Sequence, residues 1–394
     1  MAKKSKKKAK HRPLRKLVLV LLFLLIAAGG YTARHFYQGD TWPQLRQQAM
    51  HTRNTLQAGY ERIAAFAQTS VQEADGLLEA ATIGPPPDHG QIRVFFGPTT
   101  APNPRGIDDH LAALIGRAED HAYAAFYDLG LDIVADALIE RHEAGITVAV
   151  VSDSHYEDRE AMAAVREAGI PVVFDKRSAY MHNKFVVVDG RYVWTGSMNV
   201  TPNGAYRNNN NALLIASPKL ATNYTHEFRE MFEDRAFGAR SPENTTYPTL
   251  TLGDVSIECY FAPEDDVEEE VVAEVRTADA TIDFMAFSYT SEPIAEAMAK
   301  RIVAGVSVRG LFEKRNAGSQ YSRDDFLEDA GATVYMDTNP YSMHHKVIIV
   351  DGETVVTGSY NFSKSANTRN DENLLIIHDP AIAKEYTVEF EGLL

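Results

Sequence analysis

Two histidines, each two residues ahead of a lysine, recur at a fixed interval in this chain. His182-Asn183-Lys184 with Asp189, then Gly196-Ser197-Met198-Asn199, reappears as His344-His345-Lys346 with Asp351, then Gly358-Ser359-Tyr360-Asn361. The offset is 162 throughout, and it also carries Arg207 to Arg369, Asn208 to Asn370 and Ala168-Gly169 to Ala330-Gly331. These residue types suit a phosphodiester. Lysine offers a compact charge with three donors, and Ser and Asn add neutral donors for the non-bridging oxygens. A neutral imidazole can attack phosphorus to form a phosphohistidine. A second, protonated imidazole can give its proton to the departing oxygen and later take one from the attacking water. Two histidines are the least number for that exchange, and the chemistry calls for no metal and no cofactor.

The residues between the motifs position them. Phe185–Val188, Asp189-Gly190 and Arg191–Trp194 read as a hairpin with a two-residue turn. That turn sets His182 opposite Ser197 and puts His182, Lys184, Ser197 and Asn199 on one face. Val347–Val350, Asp351-Gly352 and Glu353–Val356 repeat the pattern, with His344 opposite Ser359. A polar cluster on an apolar ribbon is costly unless it binds something. Asp189 and Asp351, at the turns, read as structural. His345 falls on the opposite face and reads as non-catalytic, and Trp194 reads as core. Arg207 and Arg369 fit a phosphate contact and a surface salt bridge equally. His121, His142 and His155 have neither a repeat partner nor metal-ligand spacing.

From about Gln91 apolar strands alternate with helical patterns. Ile92–Phe96 ending in Gly97-Pro98 resembles Ile257–Phe261 ending in Ala262-Pro263. Helices are expected over 108–120, 131–144, 265–278 and 292–304, and strands over Ala122–Tyr127, Ile146–Val151, Ile282–Phe287 and Val306–Phe312. Alternation of this kind argues for an α/β fold with mostly internal sheets. Two copies, 91–240 and 250–394, joined through residues 236–253, imply pseudo-twofold packing that brings both motif blocks to one interface.

The 394 residues, 45% of them hydrophobic, suffice for two domains or one large pseudo-symmetric one. The single Cys259 excludes a disulfide framework within the chain and any cysteine-based metal cluster. Residues 1–16 hold nine Lys or Arg and no acid, leaving 30 basic against 54 acidic groups, a balance of −24, in the rest. So acidic a body repels long polyanions, whose binding rests on phosphate neutralisation. Leu17 to Ala33 carries no charge and would span roughly 25 Å as a helix. Two readings fit: a signal peptide cleaved near Ala27-Ala28-Gly29, or an uncleaved transmembrane anchor, which the long basic tail favours. Either places a cytoplasmic tail at 1–16 and the catalytic body across the membrane. Residues 34–90 read as a helical stalk over 41–82 and a linker at Gly84-Pro85-Pro86-Pro87.

HxKxxxxD followed by GSxN, present twice, resembles the phospholipase D superfamily over residues 91–394. The resemblance implies two pseudo-symmetric α/β halves, each a mixed sheet flanked by helices, whose motifs meet in one site that works without a metal. It implies His182, Lys184, His344 and Lys346 as catalytic residues and Ser197, Asn199, Ser359 and Asn361 as phosphate-binding ones. The usual assignment makes His182 the nucleophile and His344 the acid. The family often has a carboxylate about thirteen residues after the GSxN serine, near a histidine; Glu372 fits in the second half, and Asn210 stands there in the first. A carboxylate favours the protonated form of a neighbouring imidazole, which supports His344 as the acid. Which histidine Glu372 meets is not fixed by the sequence.

Three functions follow. The first is a membrane-tethered phospholipase D cutting, or transferring, the head group of a glycerophospholipid, with the phospholipid membrane as partner. The second is an extracytoplasmic nuclease on single-stranded DNA or RNA, which a basic, aromatic-lined groove would favour. The third is a scaffold without activity, against which two intact half-sites argue. Head-group preference and oligomeric state are open in the sequence.

Overall fold

The computed structural model describes residues 92–98 and 106–394. The expected tail (1–16), apolar segment (17–33) and stalk and linker (34–90) lie outside the described residues. The membrane-anchored, extracytoplasmic localisation is corrected accordingly. Among the described residues no helix is long and apolar enough to cross a membrane.

The first half runs β1 (Ile92–Gly97), α1 (Ile107–Ile115), β2 (His121–Phe126), α2 (Asp132–Glu143), β3 (Thr147–Ser152), α3 (Glu160–Glu167), β4 (Val172–Phe174), β5 (Lys184–Val188), β6 (Tyr192–Gly196), α4 (Pro202–Tyr206), β7 (Asn210–Ala216) and α5 (Pro218–Arg229). The second follows with β8 (Thr249–Leu252), β9 (Val255–Ala262), α6 (Val267–Thr277), β10 (Thr281–Ala286), α7 (Glu292–Val303), β11 (Ser307–Phe312), α8 (Asp324–Ala330), β12 (Thr333–Met336), β13 (Lys346–Val350), β14 (Thr354–Gly358), α9 (Lys364–Thr368), β15 (Glu372–His378) and α10 (Pro380–Leu393). One sheet has the order β1-β7-β6-β5-β2-β3-β4, the other β12-β11-β10-β13-β14-β15-β9-β8. In each, the three strands β2-β3-β4 or β10-β11-β12 are parallel and the rest antiparallel. These are the expected mixed sheets.

Strands β5, β7, β13 and β14 are buried along their whole length, because both sheet faces are covered. The outer core of the first half gathers Leu111, Leu138, Met162 and Trp194. That of the second gathers Val271, Met298, Phe312 and Phe362. Between the sheets lies a third core shared by both halves. It holds Tyr224 and Phe228 of α5 and Tyr386 and Phe390 of α10, packed among Phe185, Met285, Val347 and Leu375. The motif hairpins therefore face a common interior. Backbone bonds also cross the seam: His182 N–H donates to Asp371 O at 2.9 Å, and His344 N–H donates to Asn209 O at 2.8 Å.

The hairpin turns differ from expectation. Val188 pairs with Tyr192 and Val350 with Thr354, so each turn has three residues rather than two. The register slips by one, and His182 and Ser197 are not cross-strand partners, nor are His344 and Ser359. The reason is the aspartate. Asp189 and Asp351 adopt left-handed backbone (φ 54° and 53°), which Asp tolerates better than most residues. From there the Asp189 carboxylate accepts backbone N–H bonds from Glu119, Asp120 and His121 at 2.8–3.1 Å. Asp351 accepts from Asp279, Ala280 and Thr281 at 2.7 Å each. Burial would raise the Asp351 carboxyl, but those three donors prevail and hold it below the usual range. Each motif aspartate thus ties its hairpin tip to the loop entering the neighbouring strand.

The glycine before each motif serine is fixed by close approach. A Cβ on Gly196 would sit 2.4 Å from Asn211 O, and one on Gly358 would sit 2.3 Å from Asn373 O, both at φ values that disfavour any side chain. Gly196→Ala and Gly358→Ala should each destabilise by about 2 kcal/mol or more, read as a lowered urea midpoint.

Candidate active site

β5 and β13 begin at the two motif lysines, so each histidine sits just ahead of a strand, where the chain crosses to the other half. Met181 bridges to Asp371 and Met343 to Asn209, which sets each histidine beside the residue that opens the last strand of the opposite sheet. His182 Nδ1 lies 2.6 Å from Glu372 Oε2. His344 Nδ1 lies 2.9 Å from Asn210 Oδ1. Each ring therefore receives its partner from the half that does not carry it. The expectation that the Glu372 carboxylate would support His344 as acid is corrected here: Glu372 meets His182, and His344 meets a neutral amide.

Both rings line one cavity of about 700 Å³, with Asn199 and Tyr127 from the first half and Asn361 and Phe287 from the second. Tyr127 and Phe287 present T-shaped contacts to His182 and His344, at 4.7 and 4.5 Å between centroids. Each also lies under a lysine, with Lys184 Nζ and Lys346 Nζ 4.9 Å from the respective ring centre. Lys184 Nζ donates to His182 O, and Lys346 Nζ to His344 O at 2.8 Å. The lysines are 2% and 1% exposed, so a charge on either has little water to stabilise it.

Electrostatics follow from that burial. Desolvation depresses Lys184 to about 7, with the Glu372 charge opposing it. It takes Lys346 well below its ordinary value, helped by Lys184. His182 falls to about 4, chiefly by burial, while Glu372 pulls it up and Lys184 pushes it down. His344 falls well below its ordinary value through burial and then the charges of Lys346 and Lys184, without a carboxylate to oppose them. Glu372 remains ionised: burial raises it, but the His182 ring, Lys184 and the Ser359 hydroxyl together hold it low.

The serines depart from the phosphate-binding expectation. Ser359 Oγ donates to Glu372 Oε2 at 2.7 Å and accepts from Asn373 N–H at 3.0 Å. Ser197 Oγ donates to Asn210 Oδ1 at 3.0 Å and accepts from Asn211 N–H at 3.0 Å. Both are fully buried behind the histidines and fix the histidines' partners. Asn199 and Asn361 do line the cavity, and each keeps a buried amide oxygen without a hydrogen-bond partner. Asp189 and Asp351 sit at the hairpin tips. Arg207 donates to Asn203 and Arg369 reaches Ser178 at the surface. His345 turns away, to Asn211 and Glu389, as its alternation requires.

Tyr127 and Phe287 were legible only as the ends of two matched apolar runs, and nothing in their spacing marked them as walls of the site. Behind the site the seam is polar and again repeated. Thr195 Oγ1 donates to Asn373 Oδ1 at 2.6 Å, and Asn211 Nδ2 donates to Thr357 Oγ1 at 2.8 Å.

With the geometry in place, likeness to other proteins can be stated. A family profile described as "Cardiolipin synthase, PLD-like domain" matches residues 111–232 and 271–394. A phospholipase D of Rickettsia prowazekii is 30% identical over 162 residues, which is 41% of this chain and 79% of that protein. A mitochondrial cardiolipin hydrolase of Chlamydomonas reinhardtii is 33% identical over 117 residues, 30% of this chain and 52% of that one. Among solved structures, the phosphatidylserine synthase of Haemophilus influenzae superposes with a TM-score of 0.58 at 14% identity, covering 76% of this chain and 85% of that chain. That likeness is one of fold.

The partner arrangement has a spectroscopic signature. Glu372→Gln should lower the His182 pKa further, because its charge is what raises it, and Asn210→Asp should raise that of His344. NMR titration of the two imidazoles, assigned with His→Gln variants, checks both signs.

Proposed function

The chain belongs to the phospholipase D family of phosphodiesterases, and we propose that it cleaves the head-group phosphodiester of a glycerophospholipid through a phosphohistidine on His182. The observation that carries the reading is the unequal pair of partners: Glu372 on one imidazole, Asn210 on the other. The His182 Nδ1–H donated to a carboxylate leaves Nε2 with its lone pair, and the carboxylate stabilises the charge the ring gains as an N–P bond forms. His344, hydrogen-bonded to a neutral amide, has no carboxylate to retain a proton, so once the substrate's charge has protonated it that proton passes readily to the leaving oxygen.

In this scheme Nε2 of His182 attacks phosphorus while His344 protonates the leaving oxygen. His344 then takes a proton from water, the hydroxide oxygen bonds to phosphorus, and the N–P bond breaks. An alcohol in place of water gives transfer. Lys184 and Lys346 neutralise the non-bridging oxygens, the amide NH2 groups of Asn199 and Asn361 donate to them, and Ser197 and Ser359 hold the histidines' partners in place. The anionic substrate also restores protons to groups that burial has depressed, so the acid is charged only when there is a phosphate to cleave.

Lipid as substrate is supported by the similarity to proteins named phospholipase D and cardiolipin hydrolase and by the chain's net charge of −15. A nuclease on single strands is the second reading, favoured by one observation. Tyr321, 66% exposed, borders the cavity together with Tyr180, Arg323 and Lys364, a combination that can stack bases and neutralise a backbone.

Release of head group from phosphatidylcholine and phosphatidylglycerol, run beside cleavage of single-stranded DNA with and without EDTA, separates the two. We expect lipid turnover that survives EDTA and is abolished by His182→Ala or His344→Ala, and labelled phosphate trapped on His182. Label on His344 would reverse the assignment, and DNA cleavage without lipid turnover would replace the substrate.

The profile of kcat/KM against pH should be acid-shifted. The nucleophile must be neutral, so activity falls as His182 protonates near pH 4; the acid His344, itself held well below its ordinary value, must be protonated and Lys184 charged, so activity declines as pH rises and is lost by about pH 7. Glu372→Gln should move the acid limb lower and cut kcat by about 100-fold. An optimum above pH 8 would contradict these roles.

A further inference from the structure

The end of α5 and the turn after β9 bring three glutamates together at the seam. Glu227 and Glu230 share one face of the helix end, and Glu264 follows Pro263 in the other half. One carboxylate oxygen from each lies within 4.8 Å of the others. Two Ca–O bonds of about 2.4 Å span about 4.8 Å, so a single ion of that size can touch all three.

Like-charged carboxylates this close repel unless something intervenes, and two of these are visibly under-satisfied. Glu230 is 5% exposed, yet its Oε1 has no hydrogen-bond partner, and Glu264 Oε2 is likewise buried without one. Burial pushes Glu230 up to about 7, with Asp265 adding to it; burial and then the Glu230 charge push Glu264 to about 9, and burial with the charges of Glu264 and Glu230 raises Glu227 well above the usual range. Only limited neutral help is present: Asn183 Nδ2 donates to Glu227 Oε1 at 2.8 Å, and Asn244 Nδ2 to Glu230 Oε2 at 3.2 Å.

The cluster is not a by-product of the repeat. The 162-residue offset carries Glu227 to Glu389, which pairs with His345, but carries Glu230 to Gly392. Glu264, after Ala262-Pro263, matches Thr99 after Gly97-Pro98. The sequence thus carries no acid at two of the three matching positions, and the triad is not repeated.

We propose that Glu227, Glu230 and Glu264 bind a divalent, oxygen-preferring cation of the calcium type, which clamps the end of α5 to the second half. Carboxylate oxygens with no sulfur or nitrogen donor select a hard cation. The ion neutralises the cluster, and its binding free energy adds to the stability of the joined halves. None of the three glutamates lines the cavity that holds the histidines, and Glu227 reaches the motif only through Asn183, between His182 and Lys184.

The test uses the full chain after dialysis against EDTA, titrated by calorimetry with CaCl2, MgCl2 and MnCl2 and melted at each saturating concentration. The expected result is one calcium per chain and a melting midpoint raised by several degrees. Glu230→Gln and Glu264→Gln, each relieved of a repelling charge, should melt in EDTA no lower than the wild type and lose the calcium shift. No binding heat and no shift with any of the three cations would overturn the proposal and leave a proton-sharing cluster. An undiminished shift in both variants would overturn it too. The wild-type titration decides even if a variant fails to fold, and neither readout involves turnover.

Discussion

Two buried lysines and two buried imidazoles gather at the seam between the halves, and among them one carboxylate, Glu372, is hydrogen-bonded to a ring, with Asp153 and Asp128 acting on Lys184 from farther off. That imbalance governs the site. Water, which would ordinarily stabilise the charges, is excluded by Tyr127 and Phe287 on the cavity side and by the shared core behind. The lysines and histidines are consequently depressed in basicity, and the deficit is one that a phosphodiester anion can relieve. Affinity for the substrate class and readiness for proton transfer stem from the same desolvation.

Positioning depends on the seam. The backbone bonds from His182 to Asp371 and from His344 to Asn209 set each ring at the edge of the opposite sheet. The serines then fix the groups that hold the rings, and Thr195, Asn211, Thr357 and Asn373 stitch the strands beneath. A hydrogen-bonded layer of this kind resists the sliding that a purely apolar interface would allow. The motif aspartates act at the far ends of the hairpins, where they tie each turn to a neighbouring loop.

Much of this was legible in the chain. The motifs, their offset and the alternating strands and helices led to two mixed-sheet halves, because burial on both faces leaves long apolar runs such as Phe185–Val188 that only an internal strand explains. The turn length was not legible. Asp-Gly reads as a two-residue turn from local preference, and three backbone donors from a loop about 70 residues away in sequence decide otherwise. The partner of Glu372 was hidden for the same reason, since 190 residues separate it from His182. The serines looked like phosphate ligands because composition shows what a side chain can donate, and the direction in which it donates depends on packing between halves. Tyr127, Phe287 and the glutamate triad carry no motif; proximity alone makes them a wall and a cluster.

Glu372 and Asn210 occupy matching places in the two repeats and differ by one functional group. A pair of identical subunits would give both imidazoles the same neighbour, and the distinction between attacker and proton carrier would have to arise afresh with every substrate, from where a proton happened to rest. Joining the repeats in one polypeptide lets each copy drift separately, so that the two rings can be given lasting and different neighbours, a carboxylate written into one copy and an amide into the other.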